Sequence, residues 1–181
     1  TITAENGDAI TVTAADVTLN GVNATAEGGN ALGHALVVGV QDAKVEGDIT
    51  INGGSYVAEH TGMQGEGAIR IFASGAVTVK DTTTTGGIHV FDAGSYAITG
   101  NNVSFTYDGD TPYVGILVFY TSKQNELDSD AVAGGLVNGN AIAVPNTSSI
   151  YAQVFNGGWD EESKGEVSAD DSVAKIGNNY Y

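Results

Sequence analysis

The chain has 181 residues, enough for one domain with a real core, and 41% of them are hydrophobic. Six Lys and Arg stand against 22 Asp and Glu, a formal net charge of −16, which excludes phosphate neutralisation of a nucleic acid and docking on anionic lipid. Cys is absent, which removes disulfides, thiolate metal sites and a Cys nucleophile, and no apolar run approaches the roughly 18 residues of a membrane span.

Along the chain, apolar residues alternate with polar ones. Ile10-Thr11-Val12-Thr13, Val17-Thr18-Leu19, Ile49-Thr50-Ile51, Ile69-Arg70-Ile71, Val77-Thr78-Val79 and Ile88-His89-Val90 follow one another in this way. Period two in Val, Ile and Thr predicts strands. Turn signals fall between them, at Asn6-Gly7, Asn20-Gly21, Asn52-Gly53-Gly54, Gly86-Gly87, Gly100-Asn101-Asn102 and Asn138-Gly139-Asn140. The fold class is all-β.

The strands also repeat. Residues 68–80 lie over residues 87–99 at an offset of about one turn of chain: Ile69 falls on Ile88, Ile71 on Val90, Phe72 on Phe91, Gly75 on Gly94, Val77 on Tyr96 and Val79 on Ile98. Looser copies start at Ile10, Leu36, Ile116 and Ile150, with unequal intervals between them. A steady motif at uneven spacing is what a solenoid with loop insertions gives. Its inner rows are then Ile10, Leu36, Ile69, Ile88, Ile116 and Ile150, and beside them Val12, Val38, Ile71, Val90, Val118 and Ala152. The residues between, Thr11, Val37, Arg70, His89, Leu117 and Tyr151, are expected to face solvent.

The run Gly67-Ala-Ile-Arg-Ile71, continued by Gly75-Ala-Val-Thr-Val-Lys-Asp-Thr-Thr83 and preceded by Gly47-Asp-Ile-Thr-Ile-Asn-Gly-Gly-Ser-Tyr56, resembles the repeats of right-handed parallel β-helix proteins. It is most similar to the pectate-lyase-like repeats of microbial adhesin-like surface proteins, best over residues 45–105. The resemblance implies a right-handed parallel β-helix of about six to seven rungs. It specifies a coil and no activity, since such families hold adhesins, polysaccharide lyases, glycoside hydrolases and phage tailspikes alike. The alternative is a β-sandwich or jelly roll, which explains alternation and turns as well but the matched offset less well. Residues 1–181 are read as a single β-solenoid domain, with 159–181 as a C-terminal capping segment. An uncapped first rung would leave an open β-edge, suited to end-to-end association or to a longer solenoid.

Candidate sites are sparse. Arg70 is the only arginine and stacks beside His89 in the outward row, with Tyr151 further along it. An Arg fork suits a carboxylate or a sugar acid, and Tyr suits a sugar face. The bland reading is that Arg70 balances a nearby carboxylate. Asp108-Gly-Asp110 and Asp128-Ser-Asp130 offer hard oxygen ligands for Ca²⁺, against a plain reading as solvated acidic loops. Acid pairs such as Asp81 and Asp92 could serve glycoside hydrolysis, but with 22 acids some pair reaches the right separation by chance. His34, His60 and His89 have no ligand spacing. Tyr56, Tyr107, Tyr113, Phe119, Tyr120, Tyr151 and Trp159 are candidate sugar platforms, against a plain reading as covers for loop bases and the open end. No catalytic residue is assigned.

The expected function is a non-enzymatic extracellular or cell-surface β-solenoid, structural or adhesin-like, self-associating end to end. No cofactor is expected, calcium being the one ion its loops could hold. A carbohydrate-binding module or polysaccharide-degrading enzyme of the β-helix type is the alternative, and a β-sandwich filament subunit donating residues 1–13 to a neighbour is a third.

Overall fold

The structure is a computed structural model that describes residues 1–27, 33–58, 67–105, 115–121, 135–143, 150–155, 174–177 and 179. Within them the chain is all-β and its named strands pair in parallel. The first ladder runs through β2 (Thr11–Val12), β4 (Leu36–Val38), β6 (Gly67–Phe72), β9 (Gly87–Phe91), β12 (Ile116–Thr121) and β15 (Ile150–Phe155). The second runs through the start of β3 (Val17–Ala26), the start of β5 (Ile49–Ala58), then β7 (Ala76–Lys80), β10 (Ser95–Thr99), β13 (Gly135–Asn138) and β16 (Ala174–Gly177). The third takes β1 (Ile2–Ala4), the second halves of β3 and β5, β8 (Thr83–Thr85), β11 (Asn102–Ser104) and β14 (Ala141–Ala143). From β2 to β14 the chain visits the three ladders in the same order each time.

The register follows the sequence repeat. Leu36 pairs with Ile69, Ile69 with Ile88, Ile88 with Ile116 and Ile116 with Ile150. Leu36, Ile69, Ile88 and Ile116 are fully buried, as are Val38, Ile71 and Val90 in the row beside them. Each such side chain removed from water contributes about 1.5–3 kcal/mol, so a one-residue slip that turned this row outward would be very costly. The second ladder adds Ile51, Val79, Ile98 and Val137, and the third adds Tyr56, Thr84, Val103 and Ile142. All but Thr84, a buried polar residue, belong to one apolar cluster.

The antiparallel pairing that a β-sandwich requires does not occur between the named strands; among the described residues the one antiparallel bridge joins Val40 to Ala43. Nor is the first strand left unpaired for donation: β1 adds to β3 of its own chain. Of the segment expected to cap the C-terminal end, residues 174–177 form β16, a further strand of the second ladder, and 159–173 lie outside the described residues.

Two corner devices set the ladders. Long strand β5 passes from the second ladder to the third at Gly53-Gly54, where both residues have positive φ. A Cβ on Gly54 would lie 2.1 Å from the carbonyl oxygen of Val22. Gly54→Ala combines that backbone clash with a φ of +97°, and is expected to lose about 2 kcal/mol in urea unfolding, with Gly21→Ala, where a Cβ meets open space, losing less.

The second device is a stack of amides. Asp81, Gly100 and Gly139 take the left-handed conformation at equivalent corners, and each is followed by a polar residue turned inward. Asn101 and Asn140 are buried, and Asn179 continues their line. Asn101 Oδ1 accepts from the Thr82 backbone N–H at 3.0 Å and from its hydroxyl at 2.7 Å. Asn101 Nδ2 donates to the Val79 carbonyl and to Asn140 Oδ1, which also accepts from the Asn101 backbone N–H. Asn140 repeats the pattern toward Ile98 and Asn179, and Asn179 donates to the Val137 carbonyl. A corner cannot complete its ladder bonds with backbone alone, and the Asn side chain supplies both a donor and an acceptor in one plane.

Candidate functional site

The outward face of the first ladder carries the only arginine. Arg70 pairs across β6 and β9 with His89, and His89 pairs with Leu117, which pairs with Tyr151. Arg70 and His89 are therefore direct neighbours, while Tyr151 shares their row one strand beyond Leu117. The expectation that this row faces solvent is corrected in part. His89 is buried at 1% exposure and Val37 is buried as well. Period two separates the two faces of a sheet but does not say whether the second face is covered.

Two positions along, the same face holds Phe72, Phe91 and Phe119. Phe72 stacks on Phe91 with ring centroids 4.4 Å apart, and Phe91 meets Phe119 edge-on at 6.1 Å. The Arg70 guanidinium lies over both of the first two rings, 5.1 Å from the Phe72 centroid and 5.4 Å from that of Phe91. A guanidinium stacks well on an aromatic face while its edge keeps its donors. Among the described residues no carboxylate pairs with Arg70, and its Nε is buried without an acceptor. The bland expectation of a balancing acid is thus not met there. Asp92, at the turn after β9, is held by Lys44 at 2.6 Å.

Beside Arg70 lies a pair that the sequence reading did not single out. Asp8 Oδ1 accepts from the His34 backbone N–H at 2.9 Å and lies 2.8 Å from His34 Nδ1. His34 is buried and Asp8 is about one-third exposed. The two residues precede β2 and β4 at equivalent positions, and the Ala9 N–H donates to the His34 carbonyl. Asp8, His34 and Arg70 line one open pocket of about 200 Å³ with Val37, Gly39, Val40, Gln41 and Phe72.

The remaining candidates separate. Asp81 and Asp92 sit at different corners, after β7 and β9, each with positive φ, so their role is in turns. Tyr56 is no sugar platform: it is fully buried in the third ladder, its hydroxyl has no hydrogen-bond partner among the described residues, and burial pushes its pKa up to about 12. Phe119 is half-buried against the aromatic stack. Tyr107, Asp108, Asp110, Tyr113, Asp128, Asp130, His60 and Trp159 lie outside the described residues. Among the described residues no group of three or more His, Asp or Glu is placed to hold a metal, and no helix is long and apolar enough to cross a membrane. No family model, curated protein or solved structure matches the chain.

Proposed function

We propose that the chain is a right-handed parallel β-helix of the adhesin-like kind, acting outside the cell or on its surface as a non-enzymatic structural module. Its copies associate end to end, and its side faces are the part available to a surface glycan. The role needs no cofactor; Ca²⁺ is the ion that the carboxylates of Asp108, Asp110, Asp128 and Asp130 would take.

The observation that carries this reading is the register of the first ladder, in which the repeat starts from Leu36 to Ile150 stand directly over one another. Strands that recur in three ladders in a fixed order suit a coil, and parallel crossovers are right-handed in nearly all proteins. Parallel ladders also leave an edge at each end. Among the described residues β2 and β15 stand at the two ends of the first ladder, and Ile10, Val12, Val17 and Leu19 are only partly buried against the core near β2. Unpaired N–H and C=O groups beside half-covered apolar side chains invite another strand.

Negative-stain electron microscopy over a concentration series, with and without Ca²⁺, tests this. Filaments or stacks whose number grows with concentration are expected. Discrete single particles at every concentration would overturn the end-to-end role.

A further inference from the structure

The pocket beside β4 and β6 points to a ligand independently of how the ends behave. We propose that it binds a small monocarboxylate carried on an apolar ring, with Arg70 as the fork that receives the carboxylate.

Three features select this class. The first is the state of Arg70. Its face is occupied by Phe72 and Phe91, which fixes the plane of the guanidinium and leaves the N–H edge for a ligand. The buried Nε lacks an acceptor among the described residues, and a buried donor left unmade is costly. A carboxylate entering the pocket would meet the outer N–H groups of the guanidinium through two parallel hydrogen bonds. Among the described residues no carboxylate forms an ion pair with Arg70.

The second feature is size. The pocket holds about 200 Å³, and a cavity of roughly 150 Å³ accepts benzene. A single ring with a short acid arm fits; an oligomer does not.

The third is the lining. Val37, Val40 and Phe72 form apolar walls, and the polar groups are few: Arg70, Gln41 and the Asp8–His34 pair. Asp8 already serves His34 through two contacts from one oxygen. A sugar would bring several hydroxyls to a wall that answers few of them, at a cost for each one buried. An apolar ring brings none.

The test is isothermal titration of the full chain with 3-phenylpropionate, 3-phenylpropionamide and galacturonate. The free acid is expected to bind saturably. The amide, which has the same shape without the charge, and galacturonate, which has the charge without the apolar ring, should each bind at least about tenfold more weakly. Arg70→Lys keeps the charge and loses the fork, and should also weaken the acid at least about tenfold. Val40→Glu leaves the core untouched, because Val40 is 53% exposed. It sets a carboxylate at the pocket and should weaken the acid while leaving the melting temperature within a few degrees. The proposal is overturned if the amide or galacturonate binds as tightly as the acid, if Val40→Glu binds as the parent does, or if no ligand saturates at millimolar concentration.

Discussion

Replacing Asn101 by Ala is expected to lower the unfolding free energy by about 3–5 kcal/mol. Truncation takes away the acceptor of two Thr82 donors and the donor that satisfies the Val79 carbonyl. It also deprives Asn140 Oδ1 of one of its donors. Thr82 and Asn140 are buried, so water does not simply replace the amide. Each unsatisfied buried group costs about 1–3 kcal/mol. Asn101→Asp should be nearly as harmful, because a carboxylate accepts from Thr82 but has no proton for Val79 or Asn140.

The contrast is Asn52. Its Nδ2 donates to Asn20 Oδ1 at 3.2 Å in an exposed setting, and Asn52→Ala should change stability by less than about 0.5 kcal/mol. Urea unfolding of the three variants separates the cases. An Asn101→Ala loss no greater than that of Asn52→Ala would mean that the buried amide stack does not hold the corner.

Much of the first ladder was legible because its signal is local and redundant. Ile69 over Ile88 and Ile71 over Val90 repeat the same apolar pair in the same frame, and a parallel ladder has to set them side by side. The same frame carries two further signals, both polar. Laying Ile10 on Leu36 also lays Asp8 on His34, two residues before, and those two now meet at 2.8 Å. The offset that aligns Ile69 with Ile88 also aligns Thr82 with Asn101, which are hydrogen-bonded. In both instances the signal is a pair of polar residues at equal positions, which a parallel ladder makes neighbours whatever their chemistry.

What lay beyond the sequence was the state of the outward face. Nothing in Arg70-Ile71-Phe72 says that the guanidinium will lie over Phe72 and Phe91, or that His89 beside it will be buried. Alternation separates the two faces of a sheet and carries no information on what covers the outer one. Tyr56 shows the same limit from the other side. Its neighbours Ser55 and Val57 are half-exposed while it points inward against Thr84. A Tyr near a Gly-Gly turn reads as a surface ring until register assigns it a face.

Tyr56 and Tyr96 also make the protein sensitive to alkali. Both rings are buried, and burial pushes both pKa values up from 10.0 to about 12. Between these limits the unfolded chain releases two phenolic protons that the folded chain keeps. The folded state then binds more protons than the unfolded one, so stability falls as pH rises through this range and is fully present below pH 10. Each tyrosine can account for roughly 2–3 kcal/mol of the loss. The increasing negative charge of an already acidic surface adds repulsion in the same direction. Tyr56→Phe distinguishes the two contributions. The Tyr56 hydroxyl is buried and finds no partner among the described residues, so its removal is expected to gain about 1 kcal/mol at neutral pH. The variant should also keep roughly 2–3 kcal/mol more of its stability at the alkaline end, since surface repulsion is unchanged. Urea midpoints at neutral pH and near pH 12, with tyrosinate absorbance followed in parallel, give both quantities. Equal alkaline losses in the parent and Tyr56→Phe would show that surface charge, and not the buried phenol, governs unfolding in base.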